Sequence, residues 1–159
     1  MMHYIDSDGV LHNLMKWFFE KDPDSLYSSD IRSRLLAQYS DEVFLGEQLP
    51  GASFYLEMLR TKPDYMVLTS LSAPDKLEPY CKKPVEEVLN DHRRNKYKWF
   101  EDRGIPRDKV IITDSYKDKA KYCKPGDVLV DDTKGNIEAW EKAGGIGIHL
   151  YHDLKKIVF

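Results

Sequence analysis

Two aspartates one residue apart, in Asp6-Ser7-Asp8-Gly9, follow the first apolar run of the chain. A carboxylate at a strand end can attack phosphorus and form an aspartyl-phosphate. A second carboxylate two residues on, beside a glycine that permits a sharp turn, can protonate the leaving oxygen and later activate water. Like charges in such a cluster favour sharing of a proton, which suits that second role. Alone the motif proves little, because Asp and Gly also build ordinary surface turns.

Three more polar groups follow later apolar runs. Thr69-Ser70 closes the run that begins at residue 65, Lys117-Asp118-Lys119 follows residues 110–113, and Asp131-Asp132 follows residues 128–130. A hard cation such as magnesium takes oxygen ligands and keeps several waters. Asp6, Asp131 and the backbone carbonyl of Asp8 could supply them, with Asp132 in support behind. The ion would shield the repulsion between an attacking carboxylate and an anionic phosphate. A hydroxyl of Thr69 or Ser70 and one lysine would hold the phosphate oxygens during transfer. Singly, Thr-Ser can be a helix cap and Asp-Asp can simply favour a helix dipole. At four successive strand ends, in this order, they read as one phosphoryl-transfer site that requires Mg2+.

Positioning such groups calls for a parallel sheet, whose strand ends all open on one side. Short apolar runs at 2–5, 65–69, 110–113, 128–130 and 146–150 read as buried strands. Helical patterns at 52–61, 90–103 and 134–143 separate them, the last stopping at Gly144-Gly145. The alternation predicts an α/β fold, a Rossmann-like three-layer sandwich with a parallel sheet. Residues 11–50 are too long for one crossover and read as a small helical cap inserted after the first strand. Within it, 11–19 is apolar and aromatic, 22–30 is an acidic loop and 31–39 is helical. The whole chain, 1–159, forms a single domain on this reading.

The formal charge of −3 argues against a general nucleic-acid coat but leaves room for a local phosphate pocket. The two cysteines, Cys81 and Cys123, make no zinc spacing and no disulfide framework, and read as reduced thiols of a cytoplasmic protein. The first residues lack the basic and apolar regions of a secretory signal, and no run reaches membrane-spanning length. His149 and His152 read as structural. The basic stretch 93–98 reads as a solvated helix face, or as a surface that steers a nucleotide.

The motifs resemble those of the haloacid-dehalogenase-like phosphatases. The likeness lies in Asp6-Ser7-Asp8-Gly9-Val10, Leu68-Thr69-Ser70 and Val128-Leu129-Val130-Asp131-Asp132, and it spans nearly the whole chain. Asp118-Lys119-Ala120-Lys121-Tyr122-Cys123 is similar to the lysine motif of the 5'(3')-deoxyribonucleotidases and small phage-type relatives. Ser7 and Thr133 stand where that branch often carries Met and Arg. The resemblance implies a phosphate-binding Lys119, with Lys117 and Lys121 as alternatives, and a small phosphorylated substrate, most simply a nucleoside monophosphate. It also implies cap aromatics stacked on a base, for which Trp17, Phe18 and Phe19 are candidates, although packing onto the core is the plainer role. A nucleic-acid 3'-phosphate end is the alternative substrate. A phosphate-accepting signalling module is the alternative class, but such modules place their acidic pair early, and here it comes last.

Overall fold

The computed structural model describes residues 1–158. Its sheet has five parallel strands: β1 (His3–Ile5), β2 (Tyr65–Ser70), β3 (Val110–Thr113), β4 (Val128–Asp131) and β5 (Ile146–His149). They stand in the order β3-β2-β1-β4-β5. The strands match the apolar runs to within one residue at each end. Helices α1 (Leu14–Lys21), α2 (Ser29–Gln38) and α3 (Ala52–Thr61) connect β1 to β2. Helices α4 (Pro74–Leu77) and α5 (Val85–Glu101) connect β2 to β3, α6 (Lys134–Lys142) connects β4 to β5, and α7 (Leu154–Val158) follows β5. The long helix starts earlier than its pattern, at Val85, where Pro84 precedes two acidic residues in the first turn.

Strand residues alternate between the two sheet faces. Ile5, Val67, Val128 and Val130 turn to one face, packing with Leu56 and Leu59 of α3 and with Trp99 and Phe100 of α5. Tyr4, Leu68 and Leu129 turn to the other, against Ile137 and Trp140 of α6. Apolar side chains thus cover both faces, giving the expected three layers. The register aligns Ile5 with both Val67 and Val130, so the ends of β1, β2 and β4 lie side by side. β2 and β4 flank β1 on opposite sides, so the chain reverses its direction of travel across the sheet at β1. That crevice is where open α/β sheets bind ligands.

Residues 11–50 form α1, α2 and, between them, a 3-10 turn at Pro23–Tyr27 in place of the expected loop. Asp22 and Ser28 accept backbone hydrogen bonds that start the turn and α2. Phe18, Leu35, Leu36, Val43 and Phe44 bury themselves with Leu77 of α4 and with Val88 and Leu89 of α5. Both cysteines are free. Among the described residues no helix is long and apolar enough to cross a membrane.

One titratable group sits inside this helical layer. His92 of α5 is fully buried and donates from Nε2 to the Leu36 carbonyl at 2.8 Å, while its Nδ1 has no partner. Burial, aided by the nearby Lys96 charge, pushes its pKa down from 6.5 to about 4, against the opposing pull of the Leu36 bond and of Asp91 and Asp8. The fold therefore holds a neutral imidazole that the unfolded chain protonates near pH 6.5. This contribution is complete above that pH and declines from there down to about 4, by up to about 3 kcal/mol. Urea unfolding of the protein and of His92→Gln at pH 7 and pH 4.5 checks it: the variant should lose markedly less stability on acidification.

Candidate active site

β1 delivers Asp6 at its end, held in the ladder by its N–H donating to the Val130 carbonyl at 2.9 Å. The chain then wraps around one acceptor. The carbonyl of Ser7 receives the N–H groups of Val10, Leu11 and His12. Gly9 completes the turn at a φ of +85°, where a side chain would also collide with the Asp132 carboxylate. The glycine thus lets the end of β4 approach the end of β1, and the turn aims Asp8 and His12 at each other.

Asp6 and Asp131 share one ammonium. Lys119 Nζ donates to Asp6 Oδ1 and to Asp131 Oδ2, each at 2.9 Å, and all three residues are buried. Asp131 also accepts from the Thr133 N–H at 2.9 Å and from Asn136 Nδ2 at 3.1 Å. Burial would lower the lysine's pKa, but the two carboxylates outweigh it and hold Lys119 well above its ordinary value. Lys117 and Lys121 stay outside: Lys121 pairs with Asp118 at 2.6 Å on the surface, and Lys117 lies exposed beside the Tyr116 ring.

Carboxylate oxygens of Asp6, Asp131 and Asp132 come within 4.8 Å of one another. Three carboxylates around one ammonium leave two negative charges. Burial and these like charges raise Asp6 well above the carboxylate range, against the pull of Lys119. Desolvation and Asp131 push Asp132 up to about 6. A divalent cation would cancel the excess, and an all-oxygen donor set is what magnesium takes. Asp132, expected behind the ligands, brings its carboxylate level with those of Asp6 and Asp131, because Gly9 leaves room for it.

Asp8 differs from its expected state. Both of its oxygens are engaged, Oδ2 by Lys96 Nζ at 2.6 Å and Oδ1 by His12 Nδ1 at 2.8 Å. His12 Nε2 accepts the Gly46 N–H at 3.0 Å, so the ring proton sits on Nδ1 and points at Asp8. Burial would raise the pKa of Asp8, but the Lys96 charge and the two hydrogen bonds outweigh it and hold it far below the usual carboxylate range. The proton sharing expected of the carboxylate cluster falls on Asp6 and Asp132 instead, because Asp8 has a cation of its own.

Lys96 was the residue that the sequence concealed. It lies in the basic stretch 93–98, yet is only 2% exposed, beneath the site and 4.3 Å from the Phe44 ring centroid. Phe44 reaches that place with a left-handed φ of +71°, an uncommon backbone for an aromatic residue. One signal pointed to Lys96: it follows Val88 and His92 at intervals of four and precedes Trp99 by three, on the stripe that α5 buries. Nζ also donates to Thr69 Oγ1 at 3.0 Å, which leaves the hydroxyl hydrogen of Thr69 free for another acceptor.

A cavity of about 440 Å3 opens above these groups. Asp6, Asp8, Thr69, Ser70, Lys119 and Asp132 line it, together with Lys76, Tyr116, Thr133 and Asn136. None of the lining residues comes from 11–50, although His12 and Phe44 support it from below. Phe18 is core, and Trp17 packs edge-on against Phe18 and Tyr39 beside a separate small cleft. Phe19 is half-buried and does not line the cavity. His149 donates to the Asp132 carbonyl at 2.9 Å, a structural role.

No family model and no curated protein sequence matches this chain. Its structure is similar to that of D,D-heptose 1.7-bisphosphate phosphatase from B. bronchiseptica, complexed with magnesium and phosphate. The two share 17% identity and a TM-score of 0.51, over 92% of this chain and 79% of that one. A weaker likeness, with a TM-score of 0.41 at 15% identity, is to the HAD domain of the effector protein Lem4 from Legionella pneumophila, over 93% of this chain and 84% of that one. The first comparison shows a shared fold: this chain has the α/β architecture of that phosphatase.

Two outcomes check this geometry. Millimolar Mg2+ should raise the melting temperature of the protein, since a ligand of the folded state stabilises it by mass action, and Asp132→Asn should blunt the rise. Lys96→Met should cost about 3–5 kcal/mol in urea unfolding by leaving Asp8 without its cation, with part of the loss returned by adding Asp8→Asn.

Proposed function

We propose that this protein is a magnesium-dependent phosphomonoesterase that passes a phosphoryl group to Asp6 and then to water. The observation that carries this reading is the convergence of Asp6, Asp8, Thr69 and Lys119 on one cavity, with Lys119 bridging Asp6 to Asp131. Asp6, Asp131 and Asp132 would hold the ion. When bound, it supplies positive charge that keeps Asp6 ionised and draws in the phosphate oxygens. The D,D-heptose 1.7-bisphosphate phosphatase, complexed with magnesium and phosphate on the same fold, supports the choice of both.

An oxygen of Asp6 attacks phosphorus, and the bond to the ester oxygen breaks. Lys119 and the Thr69 hydroxyl, which Lys96 turns toward the cavity, hold the phosphoryl oxygens. Asp8, which takes up a proton from solvent as the substrate binds, passes it to the leaving oxygen. An arriving phosphate adds negative charge beside Asp8 and so raises its proton affinity from the low resting value. Water then attacks the aspartyl-phosphate, and Asp8, ionised again, accepts its proton, for which its resting state is already suited. Free Asp6 and inorganic phosphate result.

The substrate we infer is a nucleoside monophosphate. The motif around Lys119, similar to that of the 5'(3')-deoxyribonucleotidases, supports it, as does a cavity of small-molecule size. Turnover of deoxynucleoside monophosphates with Mg2+ tests it. Inert mononucleotides beside brisk dephosphorylation of a 3'-phosphorylated oligonucleotide would assign the protein to nucleic-acid ends instead. Asp6→Asn should abolish hydrolysis with an unchanged circular dichroism spectrum. Asp8→Asn should slow it by roughly 10²–10⁴-fold. EDTA should silence the enzyme reversibly.

A further inference from the structure

The cavity continues past the phosphate-binding groups. A second hollow of about 230 Å3 shares Ser70, Lys76 and Tyr116 with the first and adds Ser72 and Ser115. Its position follows from local geometry. Residues 116–122 form a 3-10 turn, in which side chains three apart stand on the same side. Tyr116 and Lys119 are three apart, so the turn that buries Lys119 on the cavity floor also sets Tyr116 at its rim. The Tyr116 residue is 52% exposed, and among the described residues its ring meets only Lys117, with Nζ 6.0 Å from the centroid. Lys76, on α4, is exposed and forms no ion pair among the described residues. The floor is acidic, so an ammonium without a carboxylate partner, lining the same hollow as a half-exposed aromatic ring, stands out chemically.

We propose that Tyr116 and Lys76 form the subsite for the leaving group, with a planar base stacked on Tyr116 and Lys76 drawing the anionic ester into the opening. This rests on the phosphomonoesterase reading and deepens it: the preferred ester carries a flat ring on its leaving group. It also moves base recognition from the aromatics of residues 11–50, which line neither hollow, to the turn that carries the phosphate-binding lysine. Stacking on an aromatic side chain tolerates any base, so the subsite selects for a ring without fixing its identity. Ser72 and Ser115 offer hydroxyls beside it for the sugar or the base edge.

The test compares adenosine 5'-monophosphate with ribose 5-phosphate, which has the same phosphate and sugar without the base. Calorimetric binding with Mg2+ uses Asp6→Asn, so that neither ester is consumed. The nucleotide should bind roughly tenfold or more tightly than ribose 5-phosphate, as expected for one stacked base. Tyr116→Ala, added to this background, should erase that preference, and Tyr116→Phe should keep it. Lys76→Ala should weaken both esters alike and flatten the salt dependence of binding. Equal affinity for the two esters, or a preference that survives Tyr116→Ala, overturns the stacking role. Unchanged binding in Lys76→Ala overturns the role of the lysine. Turnover of the two esters by the unmodified protein is measured separately. Its absence would overturn the phosphatase reading, while the binding preference still decides the subsite.

Discussion

Buried charge must be neutralised, and the site is arranged around that requirement. Parallel strands end side by side, so Asp6, Asp131 and Asp132 gather in a small space. Leaving the buried Asp6 or Asp131 unpaired would cost several kcal/mol. The chain supplies one ammonium from the turn before β4 and another from the middle of α5. Lys119 joins Asp6 to Asp131, and Lys96 joins Asp8 to Thr69. The remaining negative charge lies on the three clustered carboxylates, and it favours a divalent cation there.

The same pairing separates two aspartates that are only two residues apart. Burial, with Asp131 and Asp132 close by, raises the proton affinity of Asp6 against the pull of the lysine it shares. Asp8 has Lys96 to itself and a hydrogen bond from His12, so its affinity falls. Different surroundings thus give two chemically identical side chains opposite tendencies. His12 in turn depends on Gly46, whose carbonyl accepts from Trp99 Nε1 at 2.8 Å. The helical layer formed by residues 11–50 therefore acts on the site from beneath, through His12 and Phe44, while the opening above is bordered by α4 and the 3-10 turn after β3.

The strands and most helices were legible in the chain because apolar periodicity is local. A run such as residues 65–69 reads as a strand without knowledge of what lies beside it. The gathering of Asp6, Thr69, Asp131 and Asp132 was legible because strand ends in a parallel sheet must meet, whatever the details of packing, whereas the lysine was legible only as one of Lys117, Lys119 and Lys121. Lys96 was hidden by its neighbours: within Arg93-Arg94-Asn95-Lys96-Tyr97-Lys98 composition suggests a solvated face, and only the phase of α5 against the sheet turns this one lysine inward. The aromatics of residues 14–19 carried the opposite ambiguity, since a core and a stacking platform use the same side chains.

The sequence by itself determined an α/β sheet and a set of oxygen-rich strand ends suited to phosphate and magnesium, because both follow from short-range patterns and the parallel arrangement. The tertiary structure decided which lysine pairs with which carboxylate, which aspartate holds its proton, and which aromatic stands at the opening. Those outcomes depend on distances of about 3 Å between groups far apart in the chain, such as Lys96 and Asp8 or Lys119 and Asp6. Electrostatic energy at that range changes steeply with separation and burial, and neither quantity is written in residue order.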